Sequence, residues 1–529
     1  MPTAAELLRQ GRRDEVWKKY CGFLDLSLKE FMEIQERLLV EQIDLLGRCD
    51  LGRKFFAIKV PTSVDEFREV VPLTTYQDYL PYLMTKNEDI LPSKPQMWAR
   101  TSGRSSIFDC KWAPYSREMV RKVGEFAVAS FILASSSGRG DVRVEEGDIC
   151  LYTLAPAPYF TGAVVARGLA DQLRPRFVPS LDEGDRMEFS ERTREGFKQA
   201  LKTGIDLFYG LSSVLVAVAQ QFERGSGNSS FSRDLLHPRR LTRLVRGLAR
   251  SRINGRGLYP RDLWKVKGIV AGGMDTAIFR DRIEAFWGRK PLEGYGGTEL
   301  GGIALQAWNY AGMTFLPDCN FLEFIAEEEF FRSQADPQYQ PPTLRLDQVR
   351  PGVYELVITN FHGGVYTRYR TGDLVNIQSL QDDELGIQIP QMTFHARADG
   401  VIDVAGFTRL TEKAVWLAIE QAGIPYTDWA IRKEFERDKP ILHLYLELYQ
   451  DDGHRDIKGA IHQSLKEKDA GYAELESMLG LDPLRVTVLA PGAFARYTED
   501  RQAAGAELAH LKPARINPSE EAIHRLLGS

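Results

Sequence analysis

Between Leu292 and Gly302 the chain reads Leu-Glu-Gly-Tyr-Gly-Gly-Thr-Glu-Leu-Gly-Gly, and no other run constrains the fold so closely. Glycines flank one aromatic, one hydroxyl and one carboxylate, so the backbone can approach a ligand while three different side chains face it. Tyr295 offers a flat face for a purine, Thr298 a hydroxyl for a phosphate oxygen and Glu299 a hard oxygen ligand for Mg2+. The competing reading is a tight strand-to-helix turn, which calls for glycine as well.

A second stretch bears on the choice. Val353 to Asn360 is β-branched and aromatic, Phe361-His362-Gly363-Gly364 reads as a hairpin turn, and Val365 to Arg370 is expected to resume as a strand that ends in Thr371-Gly372-Asp373. Asp373 is thus expected just past a strand. A carboxylate there can accept from two vicinal hydroxyls, while Arg368 or Arg370 can answer a phosphate; the alternative is a capped turn with solvated arginines.

Upstream, Ala99-Arg-Thr-Ser-Gly-Arg-Ser-Ser forms a hydroxyl-rich loop with Lys111 a few residues on. Its backbone N–H groups and the side chains of Thr101, Ser102, Ser105 and Ser106 around Gly103 can hold phosphate oxygens, and Lys111 adds a positive charge. It lacks the spacing of a P-loop, so a mobile surface loop is the competing reading. Trp264 to Ala271 is expected to be a strand closed by Gly272 and Gly273, and a strand followed by a glycine pair is where a doubly wound sheet opens its ligand crevice.

The chain has 529 residues, which exceeds one ordinary domain, and 43% of them are apolar, enough for a sizeable core. Its 68 Lys and Arg face 73 Asp and Glu for a net charge of -5, so there is no cationic surplus of the kind that nucleic acids or anionic membranes attract. Five scattered cysteines without a CxxC pair argue against a disulfide framework or zinc site and for a reducing compartment. The N-terminus has no signal-peptide pattern and the longest apolar-rich run, Phe126 to Ala134, is too short to span a bilayer. The expectation is a cytoplasmic, monomeric protein.

Helical spacing runs through residues 1 to about 50, with Leu24, Leu28, Phe31, Ile34 and Leu38 recurring at three and four. Strand and helix patterns alternate from Gly147, supporting an α/β body; Arg332 to Pro351 reads as an irregular loop. After about residue 398 the pattern changes. A helix near Glu412 to Gln421, strands at Ile441 to Leu448 and Arg485 to Leu489, and a helix from Ile457 suffice for a small α+β domain.

Tyr295-Gly-Gly-Thr-Glu299 and Tyr369-Arg-Thr-Gly-Asp373, in that order with the Ser/Thr loop upstream, resemble the nucleotide motifs of the adenylate-forming superfamily of firefly luciferase and acyl-CoA synthetases. Within it the chain resembles the Gretchen Hagen (auxin-responsive) family of acyl acid amido synthetases. The likeness rests on Asn320-Phe-Leu-Glu-Phe-Ile325, Ile358-Thr-Asn-Phe-His-Gly-Gly364, Gly492-Ala-Phe494, Gly505-Ala506 and His510-Leu-Lys-Pro-Ala-Arg515. It implies an α/β fold: a large N-terminal ATP- and acid-binding domain, residues 1–398, with mixed sheets and flanking helices, and a small mobile α+β domain, residues 399–529. By the same resemblance Tyr295 borders adenine, Thr298 meets the α-phosphate, Glu299 binds Mg2+, Asp373 holds the ribose and Arg397 grips ribose or phosphate. Asp399 becomes the hinge and Lys512 the lysine that neutralises charge during adenylation. The Ser/Thr loop departs from the family in Arg104 and in Ile107-Phe-Asp-Cys110.

The implied activity is a ligase that uses ATP and Mg2+ to adenylate a small carboxylic acid and passes the acyl group to an amine, an amino acid in the first instance. Two alternatives stay open: a thioester ligase that uses CoA or a carrier thiol, and a catalytically silent nucleotide-binding protein.

Overall fold

The computed structural model describes residues 2–56, 59–101, 111–187, 189–223, 245, 247, 249–253, 255–272, 276–336, 338–404, 408–436, 439–449, 456–469, 472–473, 483–503 and 512–528. They form two compact units, one of Met1–Thr101, Cys110–Thr371 and Val375–Phe394, the other chiefly of Gly372–Leu374 and His395–Ser529.

A mixed sheet of twelve strands organises the α/β body. In spatial order the strands are Leu344–Arg345, Asn320–Ala326, Gly352–Asn360, Tyr369–Ser379, Gln391–Arg397, Met313–Phe315, Gly301–Gln306, Pro291–Gly297, Gly268–Gly272, Leu207–Leu211, Ile149–Tyr152 and Arg176–Val178. The last five pair in parallel, as crossover connections require. Pro291–Gly297 changes partner style midway: Pro291 to Glu293 run parallel to Ile269 to Ala271, whereas Gly294 to Gly297 run antiparallel to Leu305 to Gly301. The glycine-rich run is therefore the place where parallel winding gives way to hairpins. It lies on the edge formed by the carboxyl ends of the parallel strands, where open α/β sheets bind ligands.

The glycines there answer to packing. A Cβ at Gly302 would stand 2.5 Å from the Phe126 ring, one at Gly296 would stand 2.3 Å from the carbonyl of Gly301, and Gly301 itself has φ of +66°. The run is a hairpin, with Thr298 to Leu300 as its turn, and not a strand-to-helix turn.

One face of the parallel half is closed by an apolar layer in which Leu151, Phe208 and Ile269 meet Phe197, Leu215, Ile283, Trp264 and Trp287. The two indoles stack at 5.8 Å and 8°, and each N–H finds a carbonyl, Trp264 that of Ala200 and Trp287 that of Leu215. On the antiparallel side the helix Leu28–Gly47, started by a Ser27–Glu30 capping box, buries Phe31, Leu39, Ile43 and Leu46. Two glutamines on the same face are buried with them, each amide both donating and accepting. Gln35 donates to the carbonyls of Pro317 (2.5 Å) and Asn320 (2.7 Å) and accepts from Leu322 N (2.9 Å). Gln42 donates to the Gly364 carbonyl and accepts from Gly363 N, both at 2.9 Å.

In the second unit the strands Tyr426–Glu436, Lys439–Leu448 and Leu484–Leu489 form a sheet with one antiparallel and one parallel pairing. The helices Ala493–Ala503 and Glu520–Leu527 close it through Phe494, Tyr497, Ile523 and Leu526, which pack on Ala430 and Tyr445. The unit is α+β, and the whole chain is of the α/β class expected.

Several expectations need correction. Val365 to Arg368 is not strand, because the chain turns aside there to bond Thr74: Thr74 N donates to Arg368 O and Arg370 N to Thr74 O. The strand begins at Tyr369 and runs to Ser379, so Asp373 lies inside it rather than past its end. Trp264 to Lys267 precedes the strand at Gly268, since Trp264 N caps the short helix Pro260–Leu263. Within the expected irregular loop, Glu327–Ala335 is helical through Ala335 and Leu344–Arg345 pairs with Glu323 and Phe324.

The Phe126–Gly302 contact gives a first test. Gly302→Ala should lower unfolding stability by roughly 1–3 kcal/mol through overpacking. Gly138→Ala, where a Cβ meets nothing within 4 Å, should stay within about 0.5 kcal/mol. Urea titration of the two variants measures both.

Candidate functional site

The Thr298–Leu300 turn is held by two buried asparagines. Asn360 Nδ2 donates to the Glu299 carbonyl (3.0 Å) and to Asn320 Oδ1 (2.8 Å), and Asn320 Nδ2 donates to the Leu300 carbonyl (2.7 Å). Tyr115 OH donates to the Thr298 carbonyl at 2.7 Å. With all three carbonyls taken, the side chains of Thr298 and Glu299 have a fixed base. Burial, and then the neighbouring Glu299, push the Tyr115 phenol well above its ordinary pKa, so it acts only as a neutral donor.

At Glu299 the fold gathers two groups from distant segments, Lys111 and Tyr369. Lys111 Nζ lies 3.0 Å from Glu299 Oε1 and 3.1 Å from Tyr369 OH, and that hydroxyl donates to Glu299 Oε1 at 3.3 Å. Lys111 and Glu299 are each largely enclosed, with side chains 13% and 14% exposed. Lys111 stands at the base of the hairpin Met97–Arg100/Trp112–Tyr115, where its N–H donates to Thr101 Oγ1 and its carbonyl accepts from Thr101 N. Thr101 and Lys111, which flank positions 102–110 in the sequence, are thus bonded to each other. Ser102, Gly103, Ser105 and Ser106 lie outside the described residues, as does Gly273. Gly272 ends its strand on the ligand edge, where a Cβ would meet nothing within 4 Å.

Tyr295 is 8% exposed, with Phe394 at 5.7 Å between ring centroids, and Gly296 and Gly297 continue its strand to the turn. Asp373 is buried and pairs with Arg397 at 3.1 Å, the arginine being half exposed. Arg370 is committed elsewhere, its guanidinium meeting Glu355 (2.6 Å) and Ser333 Oγ (2.9 Å). Arg368 is committed as well. It grips both oxygens of fully buried Glu323 (3.0 and 3.1 Å) and the carbonyls of Arg68 and Val71, beside a cavity of about 500 Å3 also lined by Thr343. Neither arginine expected to answer a phosphate has a free guanidinium edge of the kind that role needs, because a buried carboxylate holds each one.

In the second unit Lys512 has a side chain 68% exposed, and its ammonium rests on Asp428 Oδ2 at 2.9 Å. Asp428 is shared with Arg515, whose Nη2 lies 2.9 Å from Oδ1 and whose guanidinium covers Trp416 at 4.2 Å. Residues 515–517 are pinned to the sheet edge, since Ile431 N donates to Arg515 O and Asn517 N to Ile431 O. Burial raises the Asp428 carboxyl, but Arg515 and then Lys512 more than reverse this and hold it below the ordinary value of 3.8. Asp399 falls in the short turn Ala398–Gly400 between the strands Gln391–Arg397 and Val401–Val404.

Sequence reasoning assigned no task to Tyr369, Asn320, Asn360 or Asp428. The first three sit inside stretches it had singled out, and a buried polar residue on an apolar strand was the available signal. For Asp428, 84 residues from Lys512, there was none.

Three family models match the chain: the GH3 family N-terminal domain over residues 21–146, the GH3 family central domain over residues 313–397 and the GH3 family C-terminal domain over residues 410–521. Together they cover more than half of the 529 residues. Among solved structures the chain is similar to AtGH3.15 acyl acid amido synthetase in complex with 2,4-DB, at 16% identity and a TM-score of 0.66 over 94% of this chain and 93% of that one. A second GH3.15 acyl acid amido synthetase structure gives 16% and 0.66 over 100% and 97%. A 2-hydroxyisobutyryl-CoA ligase in the postadenylation state gives 14% and 0.56 over 100% and 94%. Likeness at these identities describes the fold. No curated protein matches the chain. Among the described residues no helix is long and apolar enough to cross a membrane.

Asp428→Asn leaves Arg515 facing a neutral amide in a buried setting, and the expected cost at pH 7 is about 3 kcal/mol in chemical denaturation. Because the folded carboxyl titrates below its unfolded value, the wild-type advantage is fully present above about pH 4. It should shrink as pH falls through the lower folded value, so denaturation of the two proteins should converge in acid.

Proposed function

Because this chain belongs to the GH3 family, we propose that it is an ATP-dependent ligase that activates a small carboxylic acid as its acyl-adenylate, releases pyrophosphate and passes the acyl group to an amine, with an amino acid as that amine. The observation that carries the reading is the cluster of Lys111, Glu299 and Tyr369, assembled within 3.3 Å from three separate segments on a turn next to the ligand edge of the sheet.

The chemistry requires such a cluster. A carboxylate is a poor acyl donor because oxide is its leaving group, so it first attacks the α-phosphate of ATP and negative charge builds at that phosphorus. Glu299 fits a magnesium ion as one enclosed hard carboxylate, to which phosphate oxygens and water would add the other ligands. Bound there, Mg2+ would supply charge neutralisation at the phosphates.

The chain's own residues do the remainder. Lys111 and Tyr369 orient the Glu299 carboxylate; phosphate binding falls to Lys111, Thr101 and Gly272 and, by the sequence resemblance alone, to Ser102, Gly103, Ser105 and Gly273. Thr298 meets the α-phosphate, Tyr295 with Gly296 and Gly297 borders the base, and Asp373, steadied by Arg397, takes the ribose hydroxyls. Arg370 supports that strand through Glu355. Lys512 brings positive charge to the adenylation step once released from Asp428, with the turn at Asp399 as the hinge. The acceptor is an amine rather than a thiol because the family resemblance extends through the C-terminal pattern. The protein is read as a cytoplasmic monomer whose partners are its small-molecule substrates.

Pyrophosphate release with ATP and Mg2+ over a panel of carboxylic acids, each with amino acids, with CoA or with neither, tests the reading. Release raised by amino acids is expected, and Glu299→Gln and Lys512→Ala should each lower it by about 10² to 10³. Asp373→Asn should chiefly raise the KM for ATP. Release raised by CoA alone would make the protein a thioester ligase, and ATP binding without release from any acid would leave a silent nucleotide-binding protein.

A further inference from the structure

Arg192 carries a buried guanidinium that no side chain or carbonyl among the described residues meets with a hydrogen bond. It sits in the first turn of the helix Phe189–Thr203 and is 0% exposed, yet its Nε, Nη1 and Nη2 have no hydrogen-bond partner among the described residues. Two other enclosed arginines are paired with carboxylates: Arg368 with Glu323, besides two carbonyls, and Arg515 with Asp428 and Glu412. Asp185, the acid near Arg192, spends its oxygens on Ala157 N (3.2 Å) and Arg167 (3.1 Å). An enclosed guanidinium without a partner is costly by several kcal/mol, and burial pushes its pKa down.

The surroundings are built around the guanidinium. The Tyr152 ring lies 5.5 Å from its Cζ, and Gly184 leaves it room, since a Cβ there would come within 2.9 Å of Nε. Thr153, next after Tyr152, and Thr193, next after Arg192, carry buried hydroxyl oxygens that have no partner among the described residues either. Tyr152 ends a parallel strand two strands along from the one that Gly272 ends, so both lie on the ligand edge of the sheet.

A guanidinium fork matches a carboxylate in two parallel hydrogen bonds, and one positive charge balances one carboxylate. We propose that Arg192 is the anchor of a carboxylate subsite for a small-molecule substrate, binding a carboxylate other than the one that is activated. The inference rests on the ligase reading and narrows it. The group belongs either to an acid that carries a second carboxylate or to the amino acid, and the two sources act in different half-reactions.

The test takes the best acid found by ATP–pyrophosphate exchange and measures wild type, Arg192→Met and Arg192→Lys. An acid-borne carboxylate predicts that Arg192→Met raises the KM for that acid about tenfold or more in exchange without amine. An amine-borne one predicts an unchanged acid KM and a rise of the same size for alanine but not for alaninamide in amide formation. Either pattern, partly rescued by Arg192→Lys, supports the subsite; unchanged KM values, or a uniform loss of kcat together with a lower Tm, overturn it. If wild type exchanges with no acid, the ligase reading fails on its own account. The subsite is then judged by thermal denaturation with millimolar glutarate or alanine: a shift that Arg192→Met abolishes supports it, and no shift overturns it.

Discussion

Two asparagine side chains hold the structure's most consequential turn. The carbonyls of Glu299 and Leu300 point into protein, where Asn360 and Asn320 meet them, and the two amides are hydrogen-bonded to each other. Buried carbonyls without donors are rare because each costs about 1–3 kcal/mol. The turn therefore has one arrangement, and Glu299 projects from it towards Lys111 and Tyr369. Everything that supports the asparagines, including the strands on either side and the glutamines of the Leu28–Gly47 helix, becomes part of the positioning of one carboxylate.

The distribution of charge follows a consistent logic. Arginines near the sheet are tied to buried carboxylates, Arg368 to Glu323 and Arg370 to Glu355, with both partners largely out of water. Such pairs are rigid and exchange slowly. The two lysines assigned to phosphate chemistry are held more lightly: Lys111 by Glu299 and a hydroxyl, Lys512 by an acid it shares with Arg515. An ammonium is a point charge on a flexible stem, suited to changing partners in a way that a planar, doubly bonded guanidinium is not. Arg368 and Arg370 thus fix geometry, whereas Arg192 stands apart from both patterns.

Much of this was legible in the chain itself, and the failures share one cause. The glycine-rich run and the turn at His362 could be read because their signals lie within a few residues of the structure they make. Val365 to Arg368 looked like strand because valine, tyrosine and threonine favour one, but Thr74, nearly three hundred residues earlier, claims that backbone. Arg370 looked available for phosphate because Glu355 across the sheet is not adjacent in sequence. The unanswered guanidinium of Arg192 could not be foreseen, since being without a partner is a property of the folded whole.

The glutamines of the Leu28–Gly47 helix reach carbonyls and amides 282 to 322 residues away. The apolar face of that helix meets the helices Asp50–Phe55 and Val64–Val70, which follow it directly, but its two buried amides wait for residues 317 to 364. Long-range closures of this kind are slow and come late. The clamp on the Glu299 turn is then a late feature of folding, and until it closes the helix carries two amides without their final partners.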